Sequence, residues 1–377
     1  MAPVAVDTTQ QQPLSVNDIA PKKLQYLPNR AFVLRETKCF VYEERPVPDL
    51  PSNKHVIVAI KATGLCGSDI HYWQHGEIGQ FKVSQPLVLG HESAGVVWQC
   101  GPAVKSLQPG DMVALEPGIP CRSCSYCKEG RYNLCPDVKF AATPPHDGTL
   151  TTYYTVPEDF CYKLPSSISL EEGALLEPLS VAVHCAKLAG ISYGNSVLVL
   201  GAGPIGLLCC SVARAFGAAE VVAVDIVPSR LDFARQYAAT KVYRMEGLLP
   251  EENASSILSG TRKSEGFDVV IDATGAQSCI STGIHALRRG GKFVQAGLGA
   301  SEITFPVAQL CSKEGVYIGS FRYSAGDYDT AVKLIEQGSV VVKDMITHSY
   351  SFDEAEKAFQ NVVQRQGIKT IIRGVGV

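Results

Sequence analysis

The amino-acid sequence predicts an α/β protein in two parts: short antiparallel strands closing toward a barrel, then a doubly wound parallel sheet. Three observations carry this prediction. Up to Val156, short β-rich runs are separated by Gly-, Pro- and Asn-rich turns, with few helical periods between them. After Glu177, continuous apolar runs alternate with helix-like stretches, the pattern of a parallel sheet covered on both faces. A glycine-rich turn, Gly201-Ala202-Gly203-Pro204-Ile205-Gly206, joins one such run to one such helix. Size and composition agree. A chain of 377 residues, 46% apolar and 19% charged, buries a substantial core and is not disordered. The 34 basic and 37 acidic residues leave a net charge of −3, so no global pull toward nucleic acid or an anionic membrane is expected.

In chain order, residues 1–28 read as a flexible arm, polar and broken by Pro. They lack the apolar core of a secretory signal, and Asp7 and Asp18 argue against a transit peptide. Strands are expected at Ala31–Leu34, Val56–Ile60, Ala94–Val97, Met112–Leu115 and Tyr153–Val156. In the second part, the predicted strands are Ser196–Leu200, Val221–Val224, Phe267–Ile271, Lys292–Gln295 and Val316–Gly319. Helices are predicted at Leu207–Phe216, Ser229–Ala239 and Cys279–Leu287. From about Asp327 the tail carries two helix-like stretches and a strand at Lys369–Arg373, and is expected to return to the first part. No run approaches the 18 or so apolar residues of a membrane helix. The expected compartment is the cytoplasm, where the 13 Cys stay mostly reduced and clusters point to metal before disulfide.

GxGxxG alone is a weak signal. Here it follows a β-branched strand and opens a helix, and Asp225 ends the next strand 19 residues after Gly206. That context predicts a Rossmann dinucleotide site. Gly201 permits the tight turn, Gly203 lets backbone approach the pyrophosphate, and Gly206 lets helix and strand pack closely. The helix N-terminus supplies free N–H donors to the phosphates. Asp225 accepts from ribose hydroxyls and repels a 2′-phosphate, so NAD is preferred to NADP. Arg230 is read as stacking on adenine rather than neutralising a phosphate.

Cys121, Cys124, Cys127 and Cys135 fall within 15 positions and can close a tetrahedral zinc shell. Four protein ligands leave no open position, so this zinc is structural. A zinc ribbon gripping nucleic acid shares the spacing. However, Arg122, Lys128 and Arg131 are interleaved with Glu129 and Asp137, and no basic stripe forms.

A third constellation is dispersed. Gly90-His91-Glu92-Ser93-Ala94-Gly95 continues to Gly101 and Val104; Cys66-Gly67-Ser68-Asp69-Ile70-His71 lies upstream, and Glu177-Pro178 downstream. Cys, His and carboxylate are competent zinc ligands, and fewer than four fixed ligands leave room for water or substrate. Spacing alone does not join these segments, and a lone His or Cys is more often a core residue.

These segments, with Glu171–Leu179, resemble the zinc-dependent medium-chain dehydrogenase/reductase superfamily over residues 31–373. His71-Tyr72-Trp73, Phe140–Pro145 and Phe321-Arg322-Tyr323 are similar to its polyol dehydrogenases of the sorbitol and xylitol type. Mammalian sorbitol dehydrogenases lack the four-cysteine lobe, which shifts the match toward fungal and microbial xylitol dehydrogenases. The resemblance implies a GroES-like catalytic domain over 29–177 with a zinc lobe at 116–136. A Rossmann domain over 178–322 and a return to the catalytic domain over 323–377 complete it. It implies a catalytic zinc on Cys66, His91 and Glu92, with Glu177 close by, as a direct ligand or through water. It makes Ser68 the first hydroxyl of a proton relay and His71 its far end. Pro204, Ile205, Asp225, Arg230, Ala296, Gly297, Leu298, Ser320, Phe321 and Arg322 contact NAD in this reading. Tyr72, Phe140, Arg322 and Tyr323 line the substrate pocket. Blander roles remain open: Ser68 as a helix cap, His71 as a surface residue, Tyr72 and Phe140 as packing.

The expected activity is reversible oxidation of a secondary hydroxyl of xylitol or D-sorbitol to the ketose, with L-arabinitol 4-dehydrogenase as the alternative. A catalytically silent NAD-binding relative would lack a ligand or relay residue, and none is missing here. A homotetramer is what the family implies, with a small-molecule polyol as the only other partner.

Overall fold

A computed structural model describes residues 27–376. Most of the predicted N-terminal arm, and Val377, lie outside the described residues. Strands β1 (Arg30–Glu36) and β2 (Cys39–Glu44) form a hairpin beside the main sheet of the first half. That sheet begins with β3 (His55–Gly64), β4 (Glu92–Cys100), β5 (Met112–Leu115), β6 (Tyr153–Pro157) and β7 (Cys161–Lys163), all paired antiparallel. β3 is its spine. Its run His-Val-Ile-Val-Ala-Ile is almost wholly buried because β4 and β6 flank it and helices cover it. Between β3 and β4 lies helix α1 (Gly67–His75), which ends on Gly76 at φ 74°, a left-handed stop that glycine takes without strain.

Helix α2 (Leu176–Ala189) links the halves; it is apolar on nearly all sides and is buried between them. The second half is a six-stranded parallel sheet. Its strands are β8 (Ser196–Leu200), β9 (Glu220–Asp225), β10 (Lys241–Arg244), β11 (Phe267–Asp272), β12 (Leu287–Gln295) and β13 (Val316–Gly319). They lie in the order β10-β9-β8-β11-β12-β13, the doubly wound arrangement whose switch point sits at the C-terminal ends of β8 and β11. Helices α3 (Pro204–Ala215), α4 (Pro228–Tyr237), α5 (Pro250–Thr261) and α6 (Gln277–Ala286) cover the faces. The edge strand β10 and helix α5 were not foreseen: Lys241-Val-Tyr-Arg is short and half polar, and carries little strand signal.

The tail packs against both halves. Helix α7 (Asp327–Glu336) packs on α2. Strand β14 (Ile346–Tyr350), helix α8 (Ala355–Val363) and strand β15 (Lys369–Arg373) then rejoin the first sheet. β15 inserts antiparallel against β3, pairing Ile371 with Gly64, and parallel against β14. The crossover through α8 makes β14–β15 the one parallel pair in an otherwise antiparallel sheet. No helix among the described residues is long and apolar enough to cross a membrane.

Candidate active site and zinc centres

The first-half site forms where the end of β3, the start of α1 and the start of β4 meet. The ligand atoms of Cys66, His91 and Glu92 lie within 4.8 Å of one another. Cys66 precedes α1, while His91 and Glu92 open β4, whose register places Glu92 opposite Gly64. A thiolate, an imidazole and a carboxylate converging from two adjacent strand ends form a zinc-competent donor set with room for a further ligand. Asp69, fully buried, ties the set together. Its carboxylate accepts from the backbone N–H groups of Cys66 and Gly90, each at 3.0 Å, and stands 3.6 Å from His91 Nδ1. Burial opposes its charge, but His91 and these two donors hold its pKa below the usual carboxylate range. Such a carboxylate fixes the orientation of a metal-binding imidazole.

Lys369 on β15 was not anticipated. Its ammonium is buried, pairs with Glu92 and donates to the Leu65 carbonyl at 2.9 Å. Burial works against its charge, yet Glu92 and Cys66 keep its pKa above that of an ordinary lysine. Glu177, in the first turn of α2, is buried outside the trio of ligand atoms. Burial pushes its carboxyl up to about 7, His91 draws it down and Glu92 raises it further. The Tyr323 hydroxyl approaches Glu177 without completing a well-formed hydrogen bond.

The residues read as substrate-facing do come together. The Arg322 guanidinium lies 3.6 Å from the Phe140 ring centroid, and that ring is 5.7 Å from the His91 ring. Burial raises the Tyr72 phenol, while Thr143, Arg322 and His91 act on it in the opposite sense. Ser68 sits in the first turn of α1, half-buried, with no side-chain hydrogen bond among the described residues. Cys66 occupies the cap position, so capping is not the role of Ser68. His71, one turn further, is exposed and its ring lies 5.2 Å from that of His75; no hydrogen bond joins it to Ser68.

The four-cysteine lobe projects from the end of β5. Its sulfurs also lie within 4.8 Å of one another, with Cys121–Cys127 at 3.9 Å and Cys124–Cys127 at 3.4 Å. Four bonds of about 2.3 Å to one tetrahedral ion put sulfurs about 3.8 Å apart, so the cluster fits zinc. Backbone N–H groups of Cys121 and Cys124 point at Cys135 and Cys121 sulfurs, each at 3.4 Å, as thiolates require.

The nucleotide loop follows β8. Gly201 has φ 96°, which admits the turn; nothing lies within 4 Å of where a Gly203 side chain would start, leaving backbone open to a ligand. A methyl group at Gly206 would collide with the Gly201 carbonyl. Pro204 and Ile205 open α3. Asp225 ends β9 and accepts from the Ala202 and Val227 N–H groups at 2.8 and 2.9 Å, which bind it to the loop. Ala296 and Gly297 donate their N–H groups to the Asp272 carbonyl, and Leu298 is exposed beside them. Ser320 and Phe321 follow β13 on the same edge, with Ser320 N–H donating to the Gln295 carbonyl at 2.8 Å. Such an edge, with a glycine cradle and a terminal carboxylate, fits a dinucleotide. Beyond Asp225, a cavity of about 660 Å³ is lined by Ile226, Arg244, Met245, Glu246, Gly247, Leu248 and Ser278. Arg230 does not line it. Arg244, the register partner of Asp225, does.

Residues 52–166 match the alcohol dehydrogenase GroES-like domain, and residues 204–337 match the zinc-binding dehydrogenase domain. D-xylulose reductase A of Aspergillus niger is 56% identical over 347 residues, covering 92% of this chain and 97% of the relative. D-xylulose reductase A of Aspergillus oryzae is 54% identical over 357 residues, covering 95% and 99%. Among solved structures, L-idonate 5-dehydrogenase from Escherichia coli superposes with a TM-score of 0.84 at 31% identity, covering 92% of this chain and 98% of its own. Galactitol-1-phosphate dehydrogenase from Escherichia coli gives 0.83 at 26%, covering 91% and 99%.

Proposed function

From the premise that the chain belongs to the zinc-dependent medium-chain dehydrogenase superfamily, in its polyol branch, we propose that it is an NAD-dependent polyol 2-dehydrogenase interconverting xylitol, or D-sorbitol, with the ketose. The observation that carries the substrate class is the 54–56% identity to D-xylulose reductases over nearly the whole chain. The convergence of Cys66, His91 and Glu92 supports the chemistry.

Cys66, His91 and Glu92 would hold the catalytic zinc, with Glu177 beside it, and the four-cysteine lobe a second zinc. When bound, zinc supplies the Lewis acidity that lets a secondary hydroxyl ionise near neutral pH, and NAD supplies the hydride acceptor. The chain does the rest. Ser68 Oγ accepts the alcohol proton as it releases its own, and His71, exposed one turn along α1 and not hydrogen-bonded to Ser68, is reached through an intervening water before solvent; such relays contribute roughly 10²–10⁴-fold. Asp69 fixes the His91 ring. Tyr72, Arg322 and Tyr323 offer hydrogen-bonding groups along a polyol, and Phe140 forms an apolar wall. The Gly201–Gly206 cradle and Asp225 position the dinucleotide, with Pro204, Ile205, Ala296, Gly297, Leu298, Ser320 and Phe321 along its path. Arg230 remains an adenine-stacking candidate.

We infer a cytoplasmic homotetramer. The metal-holding thiolates fit a reducing compartment, and the family resemblance supports the tetramer. Initial rates of NADH formation with xylitol, D-sorbitol and L-arabinitol test the activity. The highest kcat/KM belongs to xylitol or D-sorbitol; a much higher value for L-arabinitol would overturn the assignment.

A further inference from the structure

The segment Ser320–Gly326, between β13 and α7, carries Phe321, Arg322 and Tyr323. Arg322 has φ 55°, in the left-handed region that a side chain other than glycine rarely adopts. Such a conformation persists only where its surroundings over-determine it. Three hydrogen bonds do so here. On one side, Asn133 Nδ2 donates to the Phe321 carbonyl at 2.8 Å. On the other, the Ser324 N–H donates to Asp327 at 2.7 Å, and the Ala325 N–H to the Gly130 carbonyl at 3.0 Å.

Two of these three contacts come from the four-cysteine lobe. Gly130 and Asn133 lie between Cys127 and Cys135, and a side chain at Gly130 would start 3.3 Å from the Ala325 Cβ. Asn133 is buried, and its Oδ1 has no hydrogen-bond partner. A buried amide with one end unsatisfied is costly, so the useful end is the one that donates to Phe321.

We propose that the zinc lobe positions the substrate loop, and that Asn133 is the positioning residue that keeps Arg322 left-handed, its guanidinium held over Phe140. This rests on the reading of Arg322 as a substrate-facing residue. The lobe then contributes to polyol recognition although none of its cysteines reaches the site.

Asn133→Asp keeps the shape and replaces the donor by an acceptor facing a carbonyl. The expected result is a KM for xylitol raised roughly tenfold with kcat within about threefold, two zinc per chain retained and Tm within a few degrees of the parent. In an Arg322→Ala background the same change leaves KM unaltered, because the guanidinium it positions is gone. An equal rise in KM in both backgrounds overturns the proposal. So does a crystal structure of Asn133→Asp in which Arg322 keeps its positive φ and its place over Phe140, a readout independent of turnover. If Asn133→Asp fails to fold, Asn133→Ala serves the same comparisons. A parent enzyme inactive on every polyol sinks the functional reading alone, and the crystal structure still decides the role of Asn133.

Discussion

Lys369 is the residue on which the charge balance of the first-half site turns. Its ammonium and the Glu92 carboxylate are 3% and 1% exposed, so each is the other's nearest compensation. Removing one partner of a buried pair leaves the other uncompensated, at a cost of about 3–5 kcal/mol. A divalent ion on Cys66, His91 and Glu92 supplies the same compensation. Lys369→Met should therefore lose several kcal/mol in chelator-treated protein and distinctly less in zinc-loaded protein, as read by denaturant unfolding; equal losses would contradict the arrangement. Cys66, His91 and Glu92 were legible because their residue types and family spacing are distinctive. Asp69 lies within the Cys66–His71 run, but its partners emerge only when the fold brings the Gly90 N–H and His91 to it. Lys369 was illegible for a physical reason: in Ile-Lys-Thr-Ile-Ile it reads as the exposed member of an alternating strand. Only the insertion of β15 at the middle of the sheet buries it. The same limit affected cofactor choice. Arg230 was the arginine near Asp225 in sequence, whereas Arg244 is its neighbour across the sheet and makes no ion pair among the described residues. Asp225→Ser removes a like-charge repulsion of roughly 1–4 kcal/mol toward a 2′-phosphate. It should weaken NAD binding and improve NADP about tenfold or more. Adding Arg244→Gln should abolish the gain in titrations with the reduced cofactors, whereas Arg230→Gln should not.

At the scale of elements, two packing arrangements make sharp demands. Helix α3 approaches the β8 turn so closely that only hydrogen fits at position 206. Gly206→Ala forces helix and turn apart, at roughly 1–3 kcal/mol for overpacking. It should raise the KM for NAD strongly while leaving both zinc ions bound, since neither metal cluster shares that helix. The second arrangement is Glu116, between β5 and the zinc lobe. It is 1% exposed and accepts from the Tyr132 and Tyr162 hydroxyls at 2.5 and 2.9 Å. Burial drives its carboxyl up to about 7, with Asp327 and Asp329 adding to the rise and the two tyrosines drawing it down. A raised folded-state pKa means the folded chain keeps a proton that the unfolded chain has released. Its stabilisation is complete below pH 4.5 and is lost as pH rises through about 7. The loss is on the order of 3 kcal/mol. Glu116→Gln should flatten the decline of stability between pH 4.5 and 7 in zinc-saturated protein; an unchanged slope would refute it. Most elements were legible. The apolar runs that became β8, β9 and β11 were located nearly to the residue because both faces of a parallel strand are buried. β10 and α5, at the polar rim of the sheet, carried too little periodicity to be recognised.

At the scale of the molecule, the first half is completed by the last residues of the chain. β15 lies between β3 and β14, its backbone paired with Ala62, Thr63 and Gly64, and Lys369 reaches Glu92 from it. The cofactor sheet takes all six of its strands from residues 196–319 and none from the tail. The strand-like run Lys369–Arg373 was readable in the sequence. Its partner was not, because strand pairing across some 300 residues leaves no local mark. This asymmetry predicts how the chain responds to truncation. Ending it at residue 363 removes β15, strips β3 of hydrogen bonds along three residues and leaves Glu92 without Lys369, while every ladder of the six-stranded cofactor sheet stays intact. Limited proteolysis of that variant should degrade residues 30–170 rapidly and spare a fragment spanning the six parallel strands. That fragment should retain weak nucleotide binding and no metal at Cys66 and His91. A truncated chain that loses both halves together would show that the cofactor sheet depends on the first half through α2, the apolar helix buried between them.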